Sequence, residues 1–193
     1  MTAEPSGGQP EQQRQPGQPE QPEQPGHLEL PWRVLPDYRC FGCSPVNGKG
    51  LRLRFQPDGD GIACALRFDR DYESHPGVVH GGVLSTVCDE IMGNLLVLRV
   101  GIPVFTTTLR VRFITSATIG ADYRCVATTT VDSATPGPYQ ARAEVFDGDG
   151  GLVVSAVGQY HPIAVEENRD RIDMTDEQAI LIERELAKLR ADH

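Results

Sequence analysis

The chain has 193 residues, a formal net charge of −9 and a composition that is 39% hydrophobic and 23% charged. That is the size of one ordinary domain, and the acid excess, with no dense basic patch to offset it, argues against non-specific binding to nucleic acid or an anionic membrane. No apolar run approaches the roughly 18 residues of a membrane span, and the first residues lack the basic-then-apolar pattern of a secretory signal. The five cysteines, an odd number, fit free thiols in a reducing, cytoplasmic compartment.

Residues 1–29 contain six Pro, seven Gln and five Glu and almost nothing that could drive ordering, so they are expected to be a disordered Gln/Pro-rich tail. The main domain is expected over 30–165 and a C-terminal extension with a helix over 166–193. Cys40 and Cys43 have the spacing of half a metal knuckle, but tetrahedral zinc needs two more ligands, and Cys64, Cys88 and Cys125 form no second close pair. They are read as a structural turn, with no metal assigned.

Leu51-Arg52-Leu53-Arg54-Phe55 alternates apolar and basic residues, and Ile62 to Phe68 follows the turn-rich Pro57-Asp58-Gly59-Asp60-Gly61, which predicts a hairpin. The spacing of Val83, Leu84, Val87, Cys88, Ile91, Met92, Leu95 and Leu96 predicts a helix over 82–99. Its apolar arc covers more than half the circumference, so this helix should be mostly enclosed. Cys88 lies inside the arc and reads as packing. Asp89 falls at the margin of the arc, where a carboxylate is costly without hydrogen-bond partners or a task, while Glu90 points toward the polar, solvated side.

Further strands are predicted at Thr107 to Phe113, Ala121 to Val131, Tyr139 to Phe146 and Leu152 to Tyr160. Consecutive strands joined by short turns predict an antiparallel sheet, and neither a GxGxxG nor a Walker-type loop is present. Thr175 and Gln178 have capping-box spacing for a final helix. Ile180, Leu181 and Leu189 are its expected anchors, with Glu183, Arg184, Glu185, Lys188 and Arg190 solvated.

The segment His75-Pro76-Gly77-Val78-Val79-His80-Gly81-Gly82-Val83-Leu84-Ser85-Thr86-Val87-Cys88-Asp89-Glu90 resembles the hallmark of hotdog-fold acyl-CoA thioesterases of the phenylacetate-degradation type. It has the His-Gly-Gly turn and an acidic residue nine positions after the histidine. Upstream, CFGCSPVNGKGLRLRF is similar to the opening of many relatives, and Thr106 with TTTLRVRF and Gly120 to the segment after the central helix. The resemblance covers residues 38–162. It implies an α+β hotdog fold with a curved antiparallel sheet around a long central helix, a homodimer or dimer of dimers, and active sites at the subunit interface. Spacing gives a separate reason for shared sites: from Gly81 to Asp89 a helix rises roughly 12 Å, too far for both to touch one carbonyl carbon.

By this resemblance the Gly81 N–H binds the carbonyl oxygen as it becomes negative. Asp89 of the other subunit attacks the thioester carbon or activates water, two roles the sequence leaves open. His80 orients the carbonyl or the turn, with a purely structural histidine the competing reading, and Thr106 positions the hydrolytic water. Several relatives carry Asn or Gln six residues before the histidine, where this chain has Ser74. Ser74, the adjacent His75 and Gly82 are candidate substrate contacts. Arg52, Arg54, Arg110 and Arg112 lie on polar strand faces, and Arg110 and Arg112 join the substrate-binding set as candidates for CoA phosphates. The expected function is hydrolysis of an acyl-CoA thioester without metal or redox cofactor. The alternative is a non-catalytic acyl-CoA-binding or regulatory protein of the same fold. Hydration or dehydration of an acyl thioester lacks its usual paired His and Asp.

Overall fold

The computed structural model describes residues 26–132, 134, 136–164 and 172–191. Two helices, α1 (Gly81–Val100) and α2 (Asp176–Ala191), accompany six strands: β1 (Gln56–Asp58), β2 (Gly61–Arg67), β3 (Val104–Phe113), β4 (Asp122–Thr128), β5 (Tyr139–Asp147) and β6 (Leu152–Pro162). The strands form one antiparallel sheet in the order β1-β2-β4-β5-β6-β3. β4, β5 and β6 are consecutive hairpins, whereas α1 carries the chain away from β2 and β3 returns at the far edge beside β6. The sheet curves around α1, which packs against β2 through β6. This is the hotdog architecture.

The predicted apolar arc is the buried face of α1: Leu84, Val87, Cys88, Ile91, Met92, Leu95 and Leu96 are all buried, with Val83 at the margin. Facing them are alternate residues of the strands, including Cys125 and Ala127 of β4, Ala141, Ala143 and Val145 of β5, and Val154 and Ala156 of β6. Small residues on the facing strands leave room for a helix in the concavity.

Local chemistry sets the ends of α1. His80 is the N-cap, in an extended conformation, and its Nδ1 accepts the Gly82 N–H at 2.9 Å. Gly101 ends the helix in the left-handed conformation at φ 63°, its N–H bonded to Val97 O at 2.8 Å.

The predicted hairpin is shifted. Leu51 to Phe55 is not a strand; pairing with β2 begins at Gln56. The Leu51 and Leu53 N–H groups donate instead to Phe41 O at 2.7 Å and Gly42 O at 2.8 Å, and Arg52 between them has φ 52°. Alternation still sorts the side chains, since Leu53 and Phe55 are buried, but the backbone partner is the cysteine turn. β4 likewise stops at Thr128 rather than Val131, because the Thr129 hydroxyl donates to Gln140 O at 2.7 Å and accepts the Val131 N–H at 3.2 Å, in place of a regular ladder. Of the predicted tail, residues 1–25 lie outside the described residues; Leu28 packs at the core margin and donates its N–H to Phe55 O at 2.8 Å. Residue 165 of the main domain and residues 166–171, 192 and 193 of the terminal extension also lie outside the description.

The capping box of α2 forms as its spacing predicts: Gln178 N–H donates to Thr175 Oγ1 at 3.2 Å and Thr175 N–H to Gln178 Oε1 at 2.9 Å. Its anchors are corrected. Ile182 and Leu186 are fully buried against Val97 of α1, with Leu189 at the margin, whereas Ile180 is 62% exposed. Arg190, expected in solvent, reaches across to donate to Gly101 O at 2.7 Å and pairs with Glu183. It thereby places a cation at the negative end of α1.

Two predictions follow from this packing. Ile182→Ala should destabilise the fold by about 2–5 kcal/mol and Ile180→Ala by no more than about 0.5 kcal/mol, read from urea unfolding midpoints. His80→Ala should cost about 0.5–2 kcal/mol through the lost cap, with His80→Asn recovering most of it; equal midpoints for the two variants would remove the capping role.

Candidate active site

Asp89 sits on α1 where the helix passes under the β3–β6 edge of the sheet. It is half-buried, and two hydroxyls aim at the same carboxylate oxygen: Thr106 donates to Oδ1 at 2.7 Å and Tyr160 donates to it at 3.0 Å. Tyr160 also reaches the Asp89 backbone carbonyl at 3.2 Å. Thr106 and Tyr160 are paired residues of β3 and β6, immediately before a register shift in β3. Burial, and then the Asp89 charge, push the Tyr160 phenol well above its ordinary range, so the hydroxyl stays a donor. Oδ2 accepts no hydrogen bond among the described residues. Both side-chain hydroxyls therefore hold Asp89 through the same oxygen.

Thr106, a candidate for positioning the hydrolytic water, contacts Asp89 directly. Tyr160 was not anticipated at all. An aromatic at an inward position of a strand signals only packing until the fold brings its hydroxyl to α1.

Gly81 lies at the other end of the same helix. Among the described residues its N–H has no acceptor, while the next three donors of the turn all go to His80: Gly82 N–H to Nδ1, and Val83 and Leu84 N–H to the His80 carbonyl at 3.0 and 3.3 Å. A Cβ at position 81 would stand 3.2 Å from the ring of Phe113, so the absence of a side chain lets that ring lie close to the helix start. Phe113 is 50% exposed on edge strand β3, with Ile114 beside it and Phe105 further along also exposed. The His80 ring is committed to capping the helix. Ser74 and His75 are exposed in the preceding turn, with Ser74 N–H on Val78 O and Val78 N–H on His75 O, both at 2.8 Å. Gly82 is exposed beside them, and its N–H is spent on the cap.

The four arginines do not converge within one chain. Arg110 and Arg112 are exposed on β3, at one edge of the sheet. Arg52 and Arg54 lie at the opposite edge, where with Arg67, Leu66, Phe68 and Tyr72 they line a shallow groove. That groove contains neither Asp89 nor Gly81.

Glu90 requires a correction: it is not solvated. Its carboxylate faces the cysteine turn, both oxygens 3.4 Å from Cys40 Sγ, and accepts the Asn94 side-chain N–H at 2.9 Å. Burial and the nearby Cys40 push Glu90 up to about 7. The hydrogen bond from Cys43, helped by the Gly42 N–H, holds Cys40 down at about 5. Cys43 is buried and accepts or donates a 3.0 Å bond with the Tyr38 hydroxyl. Cys88 is fully buried, as its place in the arc predicts.

Among the described residues, no helix is long and apolar enough to cross a membrane. The Thioesterase superfamily profile matches residues 76–154, from the turn before α1 into β6. Among solved structures, the chain is similar to a thioesterase superfamily protein at 16% identity and a TM-score of 0.56, covering 64% of this chain and 63% of that one, so it spans less than two thirds of that relative's length. It is similar to a hypothetical thioesterase from Streptococcus pneumoniae, solved with coenzyme A, at 18% identity and a TM-score of 0.51, covering 58% of this chain and 86% of that one. That protein has also been solved with one aspartate, and with one threonine, replaced by alanine. The E. coli PaaI protein from the phenylacetic acid degradation operon is similar at 14% identity and a TM-score of 0.52, covering 59% of this chain and 81% of that one. A search of curated proteins finds no match. The helix-in-sheet architecture is the hotdog fold, and residues 76–154, with the His-Gly-Gly turn opening α1, are similar to the thioesterase superfamily.

Proposed function

We propose that the protein hydrolyses an acyl-CoA thioester to a free acid and CoA, with each active site assembled from two copies of the chain. The observation that carries this reading is the Thr106–Asp89–Tyr160 cluster, a carboxylate braced through one oxygen and open at the other. The coenzyme A bound to the S. pneumoniae relative supports the substrate class.

In the proposed reaction the thioester carbonyl is bound by the Gly81 N–H of one subunit. Oδ2 of the other subunit's Asp89 takes a proton from water as its oxygen adds to the carbonyl carbon, or adds there itself. In either route the carbonyl electrons move onto oxygen, where the helix-terminal donor is strongest. Collapse of the adduct breaks the carbon–sulfur bond, and the departing thiolate takes up a proton. If Asp89 itself attacks, water then cleaves the resulting anhydride. Within one chain the two groups are roughly 12 Å apart along α1, which is the physical reason for a second copy. The exposed Phe105, Phe113 and Ile114 supply apolar surface for it to cover. Arg110 and Arg112, exposed on the same edge strand, are the proposed contacts for CoA phosphates, and Ser74, His75 and Gly82 for the rest of the substrate.

A panel of acyl-CoA thioesters assayed for free CoA should show turnover by the wild type and at least a roughly 100-fold loss in Asp89→Asn; equal turnover by both would overturn the reading, and binding without turnover by either would leave a non-catalytic acyl-CoA protein. Gly81→Pro removes the donor at a helix position that tolerates proline and should cost roughly 10²–10³-fold in kcat. Refolding Asp89→Asn with Gly81→Pro as mixed oligomers should restore activity, because one site then receives both intact groups. If the two inactive parents stay inactive in verified mixed oligomers, the site is not shared.

A further inference from the structure

The Cys40–Cys43 turn is a site the hydrolytic reading does not use. Cys40, Cys43 and Glu90 offer three ligand atoms that all lie within 4.8 Å of one another. We propose that these three residues bind a single thiophilic divalent cation, zinc by the chemistry of the ligands, with a fourth coordination position open toward solvent.

Geometry carries the argument. Bond lengths of about 2.3 Å to sulfur and 2.0–2.2 Å to a carboxylate oxygen give tetrahedral S···O edges of about 3.5 Å. The Cys40 Sγ to Glu90 contacts are already 3.4 Å, so the carboxylate needs almost no movement to share a cation with this sulfur. Gly42, between the two cysteines, makes the approach possible: a Cβ there would come within 2.3 Å of the Glu90 carboxyl carbon. A side chain at position 42 would push the third ligand away.

Each ligand also has the outer support that metal sites use to hold geometry. The Gly42 N–H donates to Cys40 Sγ at 3.3 Å, the arrangement that stabilises a thiolate in a Cys-x-x-Cys turn. The Tyr38 hydroxyl lies 3.0 Å from Cys43 Sγ. Asn94 holds Glu90 by donating to Oε1 at 2.9 Å, and its own Oδ1 accepts the Trp32 indole N–H at 3.3 Å. The turn is fastened from outside as well, by Ser44 Oγ on Tyr38 O at 2.6 Å and by the Leu51 and Leu53 N–H groups on Phe41 and Gly42 carbonyls. Two sulfurs and one carboxylate favour zinc over magnesium or calcium, which prefer all-oxygen sites. Cys40 and Glu90 are half-buried, so the open position has a path to water; Cys64, Cys88 and Cys125 are fully buried and offer none. The site would clasp the segment ahead of β1 to α1 one residue from Asp89.

The test uses the full chain, reduced and stripped with a chelator, then titrated with Zn(II) alone against a chromophoric competitor and separately with Co(II). One equivalent of Zn(II) should bind, and Co(II) should give a thiolate-to-metal charge-transfer band with tetrahedral visible absorption. Cys40→Ser and Cys43→Ser should weaken binding by more than the roughly 10- to 100-fold that loss of an outer partner costs, and Glu90→Gln by at least about 10-fold. Binding of less than one equivalent, or unchanged affinity in Cys43→Ser or Glu90→Gln, overturns the proposal. A variant that does not fold leaves the wild type to decide: its thermal midpoint should rise on adding Zn(II) to the stripped chain, and a midpoint that does not move overturns the site.

Discussion

A helix that buries more than half of its circumference has few places for charge, and α1 carries two carboxylates in succession at the edge of its buried face. Desolvating an unpaired carboxylate costs several kcal/mol, so each of these side chains needs partners from outside the helix. Successive helical residues diverge by about 100°, which sends the two in different directions. Asp89 meets hydroxyls from β3 and β6, and Glu90 meets the cysteine turn.

The two environments suit different work. Around Asp89 the partners are neutral hydroxyl donors, both on one oxygen, so the charge is held without an opposing cation and the second oxygen stays available. Tyr160 is almost fully buried and also ties to the helix backbone, so the donor that braces the carboxylate is itself fixed. Around Glu90 the partners are the Cys40 sulfur and the Asn94 amide, with Cys43 close by. Adjacent acids on one helix thus sit in chemically different surroundings, one among hydroxyls and one beside thiols.

The edge of the sheet is the other organising feature. β3 is an edge strand that carries Thr106 toward Asp89 and Phe113 over Gly81, so the two ends of the proposed chemistry lie along one element. Its exposed aromatic groups are what a second copy would cover. α2 acts at the opposite end of α1, where Ile182 and Leu186 bury against it and Arg190 binds the Gly101 carbonyl. This end is anchored structure, and the end carrying the His-Gly-Gly turn is open.

Elements whose signals are local are legible in the residues. Helical spacing marked the buried face of α1, alternation marked strands, Thr175 and Gln178 marked the start of α2, and the His-Gly-Gly turn with an acid nine residues after its histidine marked the likeness to hotdog thioesterases. Alternation misplaced the strand at Leu51 to Phe55, whose N–H groups go to the cysteine turn; the buried face of α2, formed by Ala179, Ile182, Leu186 and Leu189, falls at ordinary helical spacing and was legible in the residues. The surroundings of the two acids come from distant parts of the chain. Tyr160 lies 71 residues from Asp89, and Cys40 lies 50 from Glu90. Periodicity reports which side of its own element a residue faces; what stands on that side is set by chain crossings that no local pattern encodes.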